Sequence, residues 1–121
     1  MLLRSMTLAV MAVGLLSVPV LAHHSFAMFD GDISIEVEAT VAELQWTNPH
    51  TWLELTVIDE QGQSMPLALE ASSPTSMARS GWTPRTVVAG DKITVVYHPM
   101  KDGTPEGQLL SMVLENGETY D

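Results

Sequence analysis

ISIEVEATVAELQW, residues 33–46, decides the fold class. Ile33, Ile35, Val37, Ala39 and Val41 fall on one face, and Ser34, Glu36, Glu38 and Thr40 on the other. A period of two with β-branched residues on one side means a strand with one face on a core and one in water. The phase slips over residues 42–44, which predicts a bulge or strong curl there. A long first strand that curls can serve both halves of a small barrel.

Working outward, TNPH (47–50) is a turn, TWLELTVI (51–58) a second strand and DEQGQ (59–63) a hairpin loop. SMPLALE (64–70) reads as a third strand, with Pro66 arguing for an edge or an irregular start. In SSPTSMARSG (72–81) a Ser can cap, Pro74 suits a first helical turn and Gly81 an end, so a short helix is expected over residues 74–80. AGDKITVVYHPM (89–100) opens on a Gly90-Asp91 turn and becomes a fourth strand. KDGTPEGQ (101–108) is a loop, and LLSMVLENGETY (109–120) a fifth strand with a polar tail. This order predicts an all-β domain with one short helix: a small five-stranded antiparallel barrel of OB-like Greek-key type. An open antiparallel sandwich is the alternative.

Residues 1–22 are set apart from that domain. Arg4 precedes an uncharged apolar run, MTLAVMAVGLLSV (6–18), which Pro19 breaks before VLA (20–22). This is the pattern of a secretory signal peptide cut after Ala22, short for a membrane span. The expectation is a periplasmic or secreted protein, with no membrane association after cleavage. Residues 23–121 then form a single domain, of which 23–32 are an N-terminal arm. Cys is absent, so no disulfide and no lipid-modified Cys is expected. Fifteen Asp and Glu oppose five Lys and Arg, for a net charge of −10. Such a surface repels phosphate backbones, so nucleic acid is not an expected partner, whereas cations or basic proteins are attracted. Solubility alone also accounts for the charge.

AHHSFAMFD (22–30), WTNPHTWLEL (46–55) and GWTPRTVVAGDKITVVYHPMKDGTPEGQLLSM (81–112) together resemble the domain-of-unknown-function family 6152, small exported bacterial proteins. The resemblance spans essentially all of residues 23–121 and implies one exported domain. It implies no activity and no residue roles, so the chemistry rests on the side chains themselves.

The chain has four histidines. His50 lies in the first inter-strand turn and His98 at the end of the fourth strand. In an OB barrel the loops after strands one and four share a rim, so the two are expected to converge; two unrelated loop histidines are the alternative. A cut after Ala22 makes His23 the terminal residue, whose amine and imidazole chelate a metal while a second imidazole completes a three-nitrogen site. A cut one residue earlier places His24 third, where amine, backbone nitrogens and imidazole form a square plane. Either suits Cu(II), which favours tetragonal nitrogen ligands. A polar pair that merely aids processing is the plainer reading. His98 and Met100, two apart on one strand, offer a soft pair tolerant of Cu(I), although Met more often fills a core. Met28 is a further soft ligand with the same qualification. With no Cys and no helical His pair, structural zinc is not expected. Trp46, Trp52 and Trp82 either plug the barrel mouth or form a stacking rim for a small ligand. Ser25, Ser72, Ser73 and Thr75 lack a nucleophile elbow, and the acidic residues fall on outward strand positions, so an enzyme is the less expected class. Two readings stand: a copper-favouring metal-binding protein, and a metal-free module that docks a small ligand or another exported protein.

Overall fold

A computed structural model describes residues 26–121. The signal peptide assigned to residues 1–22 and the candidate ligands His23 and His24 lie outside the described residues. A 3-10 turn, Phe26–Met28, leads to β1 (Ile35–Gln45), β2 (Trp52–Ile58), β3 (Ser64–Glu70), α1 (Pro74–Arg79), β4 (Lys92–Pro99), β5 (Glu106–Leu114) and β6 (Thr119–Tyr120).

Strands run in the order β3-β2-β1-β4-β5-β6, and a pairing of β3 with β5 closes the first five into a barrel. The curl expected in the first strand is where the barrel turns its corner. β1 pairs with β4 through Thr40 and with β2 from Thr40 onward, with a register shift between Val41 and Glu43. One expectation is corrected. The barrel is not wholly antiparallel, because β3 and β5 run parallel. Each antiparallel pairing reverses direction, so a closed ring with an odd number of strands must contain at least one parallel pair.

The predicted inner face of β1 supplies Ala39 and Val41 to the core, where they join Leu53, Leu55, Leu67, Leu69, Ile93, Val95 and Met112. Burying one such Leu contributes about 1.5–3 kcal/mol. Pro66 pairs with Thr56 at a point where β3 has no β5 neighbour, so its missing N–H breaks no ladder on the other side. Ser73 caps α1, its hydroxyl accepting from the N–H of Ser76 at 3.3 Å, and Met77 is the helix residue buried in the core. Gly81, at φ 91°, ends the turn in a conformation that side-chain-bearing residues avoid. The polar tail expected after β5 instead folds back as β6, because Tyr120 packs on Trp82 with ring centroids 5.1 Å apart.

Candidate functional site

One row of directly opposed residues crosses the barrel wall: Gln45–Trp52, Trp52–Glu70, Glu70–Gln108 and Gln108–His98. Opposed residues share a face of the sheet, and the neighbouring Leu53 and Leu69 point into the core, so this row faces outward. Glu70 is nevertheless only 7 % exposed. Two segments distant in sequence cover it.

The first is the loop between β1 and β2. Thr47 Oγ1 donates to the carbonyl of His50 at 3.0 Å. Past His50, Thr51 extends the β2–β3 ladder: its N–H donates to Ser72 O at 2.9 Å and its carbonyl accepts from Ala71 N–H at 2.8 Å. Held at both ends, His50 brings Nδ1 to 2.9 Å from Oε1 of Glu70.

The second is the N-terminal arm. Asp30 N–H donates to Pro99 O at 2.8 Å and Lys101 N–H to Met28 O at 3.0 Å, which sets Phe29 opposite Met100. The Phe29 side chain is buried and lines a small pocket, about 140 Å³, with His50, Glu70, Ser72 and Gln108.

His98 stands at the far end of the row. Its Nδ1 lies 2.7 Å from the carbonyl oxygen of Ile33. A carbonyl only accepts, so Nδ1 carries the proton. Two strand spacings separate the backbones of His98 and Glu70, about 10 Å. The two predicted loop histidines therefore stand along one outward row, His98 within it and His50 in the loop beside Glu70. Met100 is half-buried at the end of β4, across from Phe29.

The three tryptophans part company. Trp52 is half-buried within the row, and Trp46 is half-buried against the edge of the core. Trp82 is 3 % exposed. It is a core residue and not part of a rim, because the Gly81 turn directs it inward onto Tyr120. Among the described residues, no three His, Cys, Asp or Glu side chains gather where they could hold a metal ion.

Glu70, Gln108 and Phe29 were not among the candidates legible in the sequence. Glu70 and Gln108 hold outward strand positions, where solvation is the default. Next to this row runs a second one, Glu43–Glu54–Ala68–Glu106. Partial burial raises the Glu54 carboxyl above its ordinary value, and the charges of Glu43 and Glu106 raise it further. The flank of the site is thus strongly acidic. None of the described helices is long and apolar enough to cross a membrane.

Neither a curated protein nor a solved structure matches this chain. A model built for one protein family matches residues 10–109, which takes in the arm, the barrel through the first part of β5 and both loop histidines. The chain belongs to that family, a family of unknown function (DUF6152).

Proposed function

We propose that this is an exported metal-binding protein, processed after Ala22, with copper as the favoured ion. The reading rests chiefly on two histidines that each stand beside an oxygen. Glu70 Oε1 lies 2.9 Å from Nδ1 of His50, so a carboxyl oxygen stands beside that ring. The Ile33 carbonyl only accepts, so at 2.7 Å it keeps the proton of a neutral His98 on Nδ1. The His98 ring then carries its lone pair on Nε2, the form that ligates a metal. An oxygen on Nδ1–H is also the usual outer partner of a ligating imidazole. Chain reach adds support. Phe29 lies in the His50–Glu70 pocket, and His23 precedes it by at most about 21 Å of extended chain. The terminal amine, His23 or His24, and His50 can then supply the nitrogens that Cu(II) prefers, with Met100 beside the arm as a soft ligand for Cu(I). Delivery or buffering of the ion fits this set better than catalysis.

Titration calorimetry with Cu(II) and Zn(II) tests the reading, on protein beginning at His23 and on the same protein carrying one extra residue ahead of it. The processed form should bind one Cu(II), more tightly than Zn(II), and the extension should weaken this sharply. His50→Ala should weaken it as well. Equal binding by both forms would remove the terminus from the ligand set. Binding no stronger than that of an acidic surface would overturn the metal reading. Mass spectrometry of the exported protein should give a start at His23 or Ala22.

The strand order, with the helix between β3 and β4, is the basis on which we read the barrel as OB-type. A second reading, a metal-free module that docks another exported protein, is favoured by a separate feature: an open groove where β1 leaves β2.

A further inference from the structure

We propose that the open edge of β1 takes up an extended, Lys- or Arg-bearing segment of another protein as an added strand. Residues 35–39 of β1 have β4 on one side and, among the described residues, no strand on the other, since pairing with β2 begins only at Thr40. β2 continues past Thr56 to Ile58 without a β1 partner. The curl that closes the barrel thus leaves a gap between two strand ends.

The direction of the backbone groups is fixed by one bond. Val41 N–H donates to Asp91 O, on the β4 side, at 2.8 Å. In an antiparallel ladder alternate residues bond to the same neighbour, so Ala39 and Val37 also turn toward β4. The N–H and C=O groups of Glu36 and Glu38 therefore point to the open edge, as a template for a further strand.

The surroundings suit a strand. A groove of about 640 Å³ runs along residues 36–40 and is bordered by Thr56 and Ile58 of β2 and by Val113 of β5. Ile58 is 64 % exposed there, an apolar anchor for alternate side chains of a guest. The groove's charged side chains are Glu36, Glu38 and Glu115 against Lys92 alone, on a chain of net charge −10. A second copy of this chain would set Glu36 and Glu38 against glutamates of its own kind, and like charges directly opposed are unfavourable. A basic guest meets opposite charge. Because Ile58 and His50 lie at opposite ends of β2, the groove is independent of the proposed metal site.

The test uses the purified protein and a peptide of about ten residues alternating Lys and Val, compared with a Glu/Val peptide and with a Lys/Val peptide N-methylated on alternate residues. Fluorescence anisotropy should show binding of the first peptide only. Hydrogen exchange should show the amides of Glu36 and Glu38 slowed in that complex. A Glu36→Lys/Glu38→Lys variant, changed only at exposed positions, should lose about tenfold in affinity. Full binding of the N-methylated peptide would reduce the interaction to surface charge and overturn strand addition. Unslowed Glu36 and Glu38 amides in the complex would do the same. Protection of those amides in the peptide-free protein, together with a dimer in sedimentation, would assign the edge to a second copy and overturn the basic-guest proposal.

Discussion

Replacing Gly107 with Ala should loosen the barrel at its seam. Gly107 is the middle residue of the three β3–β5 pairs and is also opposed to Pro99 of β4. A methyl group there would stand 2.5 Å from Tyr97 Cδ2 and 2.6 Å from the carbonyl oxygen of His98, where ordinary contact begins near 3.4 Å. The Tyr97 ring can tilt. The His98 carbonyl is main chain, and it moves only if the end of β4 moves with it. Overpacking of this kind costs about 1–3 kcal/mol. A domain of this size loses about 4–8 °C of melting temperature per kcal/mol, so a cost of about 2 kcal/mol lowers Tm by about 8–16 °C. Gly31→Ala is the control, since a methyl group there meets nothing within 4 Å. Circular dichroism melts of the three proteins decide the matter. A G107A protein melting within about 2 °C of the wild type would show that the seam yields without cost, and the reasoning would fail.

Other consequences are as direct. Trp82→Ala removes a core side chain that is 3 % exposed and should cost about 3–5 kcal/mol, read by urea melts, whereas Trp82→Phe should cost less in the same melts. Glu54 binds its proton more readily in the folded state, so its contribution to stability falls as pH rises from its ordinary value of 4.5 through the raised folded one. Glu54→Gln should therefore raise stability at pH 7 by an amount on the order of 0.5 kcal/mol after solvent screening, and by nothing well below pH 4.5, in paired thermal melts. Asp102, in the β4–β5 loop, accepts from Thr104 N–H at 3.0 Å and Thr104 Oγ1 at 2.8 Å, which hold its carboxyl below the ordinary 3.8. A carboxyl-carbon NMR titration should place its midpoint below 3.8, with the loop's two bonds present above that pH and lost as pH falls through the lowered value.

Sequence alone determined what depends on near neighbours. The period of two in β1, the phase slip at residues 42–44, the Ser73 cap and the Gly81 stop are each written within a few residues, because side-chain alternation and turn chemistry are local properties of the backbone. The candidate histidines were legible as residues, since His50 and His98 both stand where a strand meets a loop. Tertiary structure decided the rest. Alternation marks Glu70 as outward and says nothing of the loop and the arm that cross over it. Burial of an outward residue depends on which distant segment lies there, and here that segment is the arm carrying Phe29. Trp82 reads the same on either side of a turn, and only the packing of β6 against it made it core. The parallel seam between β3 and β5 lies in no single stretch of the chain, because it follows from closing an odd number of strands into a ring.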